Sequence, residues 1–524
     1  MFFRSKQSGG RPYLQLVENE RVGGRVRQKL VASLGRVDEL EAAGQLARLT
    51  ESLARLTEEL EAVRLASDLD ARSARTVGGL LVIERLWREL KLDSLLRRVA
   101  KGRQIEFDLE RAVFAMVANR VLEPRSKRGL MSWLERVAWP AEERPELHHL
   151  YRSLDVLAEA KDDLEVRLHQ RVRDLFHQQL DLVLYDTTST YFQSPDTDGL
   201  RRRGYSKDKR PDLPQAVLGL LLSGDGLPIG HELFPGNSYD GNTVPEVLKA
   251  LKERFQLRWL IFVGDRGMVS EQNLDVLDEA GYDWIIGVRL RNRPALADGI
   301  LSDPGAFEVL ANNLEVKEVW VDERRYIVCR NPDQVHRDAA RRQAVLERLQ
   351  ARLTQSGVKG VVTRPGFRRF LRVSAQEATI DADRVQRDAR YDGVWVLETS
   401  TDLPAPEVAQ AYKSLWRVER AFRTLKSPLQ LRPVRHWTES RTRGHVVVCF
   451  LAFLLRSALE RRLFEDGSVN ATFREVLDAL QQVQQVRVDV KGIPLQLVTE
   501  PPPLAQDVFQ ALGMRTPPRL QKRA

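Results

Sequence analysis

At 524 residues, 43% of them hydrophobic, the chain is long enough for roughly three or four domains, each burying its own core. Its 82 Lys and Arg against 73 Asp and Glu leave a net charge of +9, a balance suited to a polyanion such as nucleic acid; a basic composition shared genome-wide is the plainer alternative. Cys329 and Cys449 are the only cysteines, which excludes a disulfide framework and a cysteine zinc site, and the longest apolar run, Val446–Leu455, is too short to span a bilayer. The N-terminal residues lack a secretory apolar stretch, so the expected location is the cytoplasm.

The chain is expected to open on a hairpin, Tyr13–Val22 and Arg25–Leu34 meeting at Gly23-Gly24, a pair that tolerates positive φ. Leu46, Leu49, Leu53, Leu56 and Leu60 recur at helical spacing and predict a helix from Asp38 to about Leu69, so that hairpin and helix together make a region 1–75. Residues 76–180 read as helical: Leu80–Leu90, Leu92–Val99, Leu109–Val121 and Leu150–Leu180 carry apolar stripes, and Glu123–Arg128 is a basic turn between helices. The first region is a candidate for binding a DNA end and the second for binding DNA; a scaffold or dimerisation role explains the helical one equally well.

At residue 181 the pattern changes to alternating strands and helices. Strands are predicted at 181–192, 214–223 and 227–235, then helix Val244–Phe255, strand Trp259–Gly264, helix Ser270–Ala280 and strand Tyr282–Val288. Three antiparallel strands followed by helix, strand, helix, strand is the succession of an RNase H-like mixed sheet. The fold class is therefore α/β, with the first part of the core at 181–289. Residues 290–392 are less regular, with β-like runs Phe307–Leu310, Val316–Tyr326 and Phe370–Val373 around a charged helix near Asp333–Leu353, and read as a β-rich insertion. Residues 393–465 return to the core with strand Gly393–Leu397, a helix opened by Thr401–Pro404 and stopped by Ser427-Pro428, and helix His445–Leu463. In 466–524 a helical segment leads to a basic, proline-rich tail from Glu500 onward, expected to be poorly ordered.

Three acids stand out against this frame. Asp186 ends the apolar run Leu182–Tyr185 and Asp265 ends Leu260–Gly264, and small residues beside both leave room for a metal or a phosphate. Glu419 lies seven residues from both Tyr412 and Lys426, so one helical stripe carries Tyr412, Trp416, Glu419, Arg423 and Lys426. Taken singly, such an Asp is most often a turn or a helix cap, and the helix an amphipathic one with Trp416 and Phe422 in the core. Together, two strand-borne aspartates and a helix-borne glutamate can hold two divalent metal ions over a phosphodiester, activating a water or a 3′-hydroxyl and stabilising the leaving oxygen. Beside them the loop Leu200–Lys207 carries Arg201, Arg202, Arg203 and Lys207, candidates to track a DNA backbone, with a solvated loop as the alternative. His231 is expected to hydrogen-bond within the sheet rather than act as a base.

In these residues the chain resembles insertion-sequence transposases of the DDE, RNase H-like superfamily, above all the bacterial group with a β-rich insertion before the glutamate and the signature Y-x2-R-x3-E-x6-K. Tyr412, Glu419 and Lys426 match that signature, and Asp186–Ser189, Gly264–Gly267, Arg210–Gln215 and Gly230–Asn237 match the group's other motifs. The signature arginine would fall at 415, where this chain has Leu415; Arg417 is turned about 200° around a helix from it, and Arg423 is a candidate stand-in. The resemblance implies cut-and-paste transposition by a homodimer that pairs terminal inverted repeats of double-stranded DNA in a synaptic complex and joins the freed ends to target DNA. It implies Mg2+ as cofactor, two ions with Mn2+ able to replace them, held by Asp186, Asp265 and Glu419 as catalytic residues. Tyr412, Arg423 and Lys426 would hold phosphates. Relatives also flip a base against an aromatic of the insertion; Trp320 is the candidate here, a place in the insertion's core being its alternative. No membrane or small-molecule substrate is expected, and the protein would associate with the bacterial nucleoid when bound to DNA. Two other readings stay open: an RNase H-like nuclease or resolvase that cuts without joining, and an inactive DNA-binding remnant.

Overall fold

The computed structural model describes residues 1–22, 25–67, 69–176, 182–257, 260–268, 270–311, 313–356, 365–374, 377–465, 467–490 and 493–522. They fall into two units, one of Met1–Arg75, Gln484–Glu500 and Pro517–Ala524, the other of Thr76–Val483 and Pro501–Thr516. In the smaller unit β1 (Phe2–Ser8), β2 (Arg11–Val22) and β3 (Arg25–Arg36) make an antiparallel sheet in that order. The expected hairpin is β2–β3, paired up to Val22 and Arg25; its Gly23-Gly24 turn lies outside the described residues. β1 is additional: Gly9 and Gly10, both at positive φ (58° and 76°), fold it back on β2. Where one helix is expected there are two, α1 (Val37–Ala42) and α2 (Gln45–Ser67), separated at Gly44, whose φ of 63° a helix cannot continue. β4 (Leu69–Thr76) follows.

The larger unit begins with the expected helical layer, α3 (Gly78–Glu89), α4 (Leu92–Ala100), α5 (Leu109–Leu122), α6 (Lys127–Arg136) and α7 (Leu147–Phe176). Asp108 and Ser126 cap α5 and α6, their side-chain oxygens accepting from the backbone N–H of Arg111 and Gly129. The sheet then builds up from β5 (Leu182–Tyr191), β6 (Gln215–Ser223), β7 (Pro228–Pro235), α8 (Asp240–Lys249), β8 (Ile261–Gly264), α9 (Glu271–Ala280) and β9 (Asp283–Val288). Trp259, the expected first residue of β8, lies outside the described residues. β5 pairs antiparallel with β6 and β6 with β7, while β5 pairs parallel with β8 and β8 with β9. The spatial order β7-β6-β5-β8-β9 is that of an RNase H-like sheet. All nine residues of β6 are buried, as its almost unbroken apolar sequence requires for a strand covered on both faces. α8 and α9 cover one face over a core that includes Tyr185, Val217, Phe262, Leu274 and Trp284.

Most of the β-rich segment after β9 continues this sheet, and a two-stranded hairpin stands apart from it. It contains α10 (Pro294–Ser302), β10 (Glu308–Ala311), β11 (Leu314–Val321), β12 (Arg324–Arg330) and α11 (Pro332–Ser356), then the small hairpin β13 (Leu371–Val373) and β14 (Ala378–Ile380) with α12 (Ala382–Ala389). β15 (Val394–Thr399) pairs with β9 on one side and β12 on the other, giving nine strands in the order β10-β11-β12-β15-β9-β8-β5-β6-β7. The single run expected at Val316–Tyr326 is two strands, because Asp322 and Glu323 both take positive φ (49° and 61°) and reverse the chain.

α13 (Ala405–Lys413), α14 (Trp416–Lys426) and α15 (Glu439–Glu460) pack against the sheet, and α15 also packs against α5 and α7. The helix expected to carry Tyr412 and Glu419 together is thus two. Leu415 N–H bonds to the Tyr412 carbonyl and Arg417 N–H to the Ser414 carbonyl, three residues back instead of four, and this tightening breaks the helix. After α16 (Phe473–Gln481) come β16 (Gln484–Val490), β17 (Ile493–Val498), α17 (Pro503–Ala511) and β18 (Leu520–Lys522). The last three strands join β4 in the order β18-β17-β16-β4. The tail carries regular structure where none was expected: Pro502 and Pro503 start α17, whose Ala505, Val508 and Phe509 are buried, and β18 follows. Among the described residues no helix is long and apolar enough to cross a membrane.

Candidate active site

β5 and β8 lie side by side with Leu184 opposite Val263 and Tyr185 opposite Gly264, so Asp186 and Asp265 come next on neighbouring strands, about 4.8 Å apart in backbone. Strand alternation sends Tyr185 into the core under α8 and α9 and Asp186 to the opposite face, over which α14 packs. There Asp186, Asp265 and Glu419 line one cleft of about 430 Å³, together with Arg266, Tyr412, Lys413, Leu415 and Trp416.

Asp186 Oδ1 accepts from the backbone N–H of Thr187 at 2.7 Å. Burial pushes its carboxyl up to about 6; the neighbouring carboxylates Asp265 and Asp240 add to the rise and the Lys207 ammonium opposes it. Asp265 Oδ1 accepts from Arg266 N–H at 2.7 Å and from the Tyr412 hydroxyl at 3.3 Å. Tyr412 reaches that position because Gly287 of β9 has no side chain: a Cβ there would collide with the Tyr412 hydroxyl. Burial, then the charge of Asp265, holds the Tyr412 phenol well above its ordinary value.

The other expected residues divide. Lys207 stands directly behind Asp186: its Nζ donates to the Thr187 carbonyl at 2.8 Å and Oγ1 at 3.0 Å, and pairs with Asp240 Oδ2 at 3.1 Å. Asp240, at the start of α8, has no distinguishing sequence signal; only folding carries it to Asp186. Arg201 pairs with Asp198 at 2.7 Å and packs over Phe192, while Arg202 and Arg203 are exposed outside the cleft. Lys426 pairs with Asp208 at 2.7 Å and Arg423 is exposed; neither lines the cleft, since the break before α14 ends the common stripe. Leu415 does line it. Arg417 instead donates to the Gly224 carbonyl and packs on Trp416, so the cations at the cleft wall are Lys413 and Arg266. Trp320 on β11 is 61% exposed, with Nε1 donating to Glu318 at 2.8 Å; it is not part of the insertion's core. His231 pairs with Glu165 of α7 at 2.5 Å instead of bonding within the sheet.

A second hollow of about 300 Å³ adjoins the cleft, sharing Arg266, Val288, Trp395 and Val396 with it and adding Arg289 and Arg291. A cationic strip thus leads away from the acids, made by residues whose spacing carries no signal of its own. The donor chemistry suits a hard divalent cation, which prefers carboxylate oxygen. The Asp186 carboxyl is raised chiefly by burial, and the like charges of Asp265 and Asp240 add to that rise. Among the described residues no three acidic, histidine or cysteine side chains are drawn close enough to hold an ion unaided; Glu419 comes from α14 and the aspartates from the sheet.

The strand order and the cleft over its central strands place the protein among RNase H-like enzymes, a class that acts on nucleic acid. Residues 177–455 match the family described as transposase DDE domain, and residues 3–67 match the IS1634 family transposase N-terminal domain. The chain belongs to the DDE-domain transposases, and DNA transposition is the function this membership supports. Among curated proteins no sequence matches. Among solved structures the chain is similar to a piggyBac transposase synaptic complex with hairpin DNA, at 10% identity and a TM-score of 0.36, over 77% of this chain and 79% of that one. It is also similar to the Mos1 mariner paired-end complex with Mn, at 14% identity and a TM-score of 0.15, over 37% of this chain and 57% of that one. Both likenesses are distant.

Proposed function

We propose that the chain carries out cut-and-paste transposition of an insertion sequence, hydrolysing a phosphodiester at terminal inverted repeats and transferring the freed strand to target DNA. The observation that carries this reading is the meeting of Asp186, Asp265 and Glu419 at one cleft within the matched domain. These three carboxylates are the residues to hold two Mg2+ ions, or Mn2+ in their place. Such ions, when bound, lower the cost of charge on the attacking and leaving oxygens. The chain's own groups do the rest. Tyr412 and the Arg266 N–H fix one oxygen of Asp265, and Lys207 anchors Asp240 and Thr187 behind Asp186. Arg266, Lys413, Arg289 and Arg291 offer a cationic path for the backbone. Lys426, tied to Asp208, steadies α14 rather than meeting the scissile phosphate, while exposed Arg423, Arg202, Arg203 and Trp320 are placed to meet DNA outside the cleft. A homodimer pairing two ends follows from the chemistry of excision.

The test is to incubate purified protein with the gene's own flanking DNA and Mg2+, beside Glu419→Gln, and map cuts to the nucleotide. Wild type is expected to nick at the outer edges of inverted repeats, and the variant to lose at least about a thousandfold in rate. Undiminished cutting by Glu419→Gln would remove that residue from the site. Cuts without strand-transfer products in a target plasmid would leave a nuclease. An inactive DNA binder is favoured by one observation, Leu415 at the cleft wall where the signature has arginine, and it predicts binding without cuts in either Mg2+ or Mn2+.

A further inference from the structure

The turn between α5 and α6 and the segment that leaves α14 come from opposite ends of the larger unit, yet they close on one pocket of about 200 Å³. Six cationic side chains line it: Arg120, Arg125, Lys127, Arg128, Arg432 and Arg435. No carboxylate does, and it shares no residue with the acid cleft. Arg125 and Arg432 have partners outside the lining, Glu123 and Asp208. For Arg120, Lys127, Arg128 and Arg435 there is no ion pair among the described residues.

The floor of this pocket is where the charge is least compensated. Arg120 and Lys127 are each only 5% exposed. Arg120 Nη1 donates to the carbonyls of Leu429 and Gln430, both at 3.3 Å, and its Nε has no partner among the described residues. Lys127 Nζ lies 3.4 Å from His445 Nδ1. His445 Nε2 sits 3.2 Å from the Leu431 carbonyl, an acceptor, so that nitrogen carries the proton and Nδ1 is left to accept from Lys127. Burial, then the charges of Lys127 and Arg120, holds both His445 and the adjacent His436 far below the ordinary imidazole value, so neither adds or removes charge at neutral pH. The first turn of α6 contributes the positive end of its helix dipole. Burial, then the charge of Arg120, brings the Lys127 ammonium down to about 7, so Arg120 is the fixed charge of the floor and an anion in the pocket would hold Lys127 in its charged form.

We propose that this pocket receives a backbone phosphate of the DNA on which the chain acts, at a position separate from the scissile one; the proposal rests on the reading of the chain as a DNA transposase. The rim favours a polymer over a free ion. Arg125, Arg128 and Arg435 are exposed around a buried floor, and Trp437, 69% exposed two residues beyond Arg435, offers a face for a neighbouring sugar or base. Because the segment 429–436 leads directly out of α14, a phosphate held between Lys127 and Arg435 would tie the Glu419 helix to the helical layer when DNA is bound.

The experiment uses full-length protein and measures affinity for its end DNA as a function of salt, for wild type and for Arg128→Ala/Arg435→Ala. Both changes lie on the exposed rim, and a melting curve verifies the fold. The variant is expected to bind roughly tenfold more weakly, with the slope of log K against log salt shallower by about 1 or more. Unchanged affinity and slope would overturn the pocket while wild-type cleavage still upheld the transposase reading. Failure of wild type to bind any duplex would overturn both. A second arm adds inorganic phosphate without DNA: a rise in melting temperature that Lys127→Gln abolishes, together with unchanged DNA affinity in the rim variant, would make this a free-anion site and also overturn the proposal.

Discussion

Two carboxylates of the larger unit, Glu165 in the interior and half-buried Asp186 at the cleft, are shifted in opposite directions. Glu165 on α7 is 1% exposed, and burial alone would raise it; Lys161, His231 and Arg254, at 3.6, 2.5 and 3.1 Å, outweigh that and bring it down to about 2. Asp186 is pushed up to about 6 by burial, with Asp265 and Asp240 adding to the rise and Lys207 and the Thr187 N–H opposing it. In one place the chain supplies the counter-charge and uses it to join α7 to β7 and to Arg254, just beyond α8. In the other it gathers acids and leaves the neutralising charge to come from outside. A buried acid surrounded by the protein's own cations is architecture, whereas an acid gathered with other acids at a cleft is where the function proposed above would place a cation.

Exchanging each acid for its amide separates the two. Asp186→Asn is expected to remove end cleavage, by on the order of a thousandfold or more. It should also raise stability at neutral pH, by about 1–2 kcal/mol, because a charge held against its surroundings disappears. A cleavage assay beside a urea titration reads both, and a variant both inactive and less stable would contradict the distinction. Glu165→Gln should do the reverse, costing about 3–5 kcal/mol because Lys161 and Arg254 lose their shared counter-charge and His231 its carboxylate partner. The same contrast predicts a pH dependence. Since folding lowers the Glu165 carboxyl from its ordinary 4.5 to about 2, the stability it contributes is fully present above pH 4.5 and is lost as pH falls toward 2. Wild type should lose roughly 3 kcal/mol over that window relative to Glu165→Gln. Parallel pH profiles for the two proteins would mean the cluster does not hold the acid as described.

Much of this contrast was legible in the residues, and the rest has physical reasons for being hidden. The runs ending at Asp186 and Asp265 are apolar enough to announce strands of a doubly covered sheet, and their order foretold that the two acids would be neighbours. β1, β4 and β16 are rich in polar residues, and β1, β4 and β18 lie on sheet edges, so period alone does not mark them. The seven-residue spacing of Tyr412, Glu419 and Lys426 suggests one continuous helix. The tightened turn at Ser414–Leu415 interrupts it, and Tyr412 and Glu419 line the cleft while Lys426 pairs with Asp208. Asp240, Lys413 and Arg289 carry no motif; they matter only through the sheet that gathers them. The basic turn at Glu123–Arg128 was visible, but its partner surface at 430–436 lies about three hundred residues on and nothing local connects the two.

The smallest expected effect sharpens the comparison inside the cleft itself. Gly287 is the one point where β9 lets an aromatic ring lie against it, and Ala there should push the Tyr412 hydroxyl off Asp265 without disturbing the Glu165 cluster. One hydrogen bond to a carboxylate is at stake, so Gly287→Ala should slow single-turnover cleavage by roughly fivefold, equivalent to about 1 kcal/mol. Tyr412→Phe removes the same hydroxyl by another route and should cost about as much. If both act through Asp265, the double variant loses no more than either single one, because the interaction can be removed only once. Additive losses would show that Tyr412 serves the reaction through something other than its hold on Asp265, such as direct contact with the DNA.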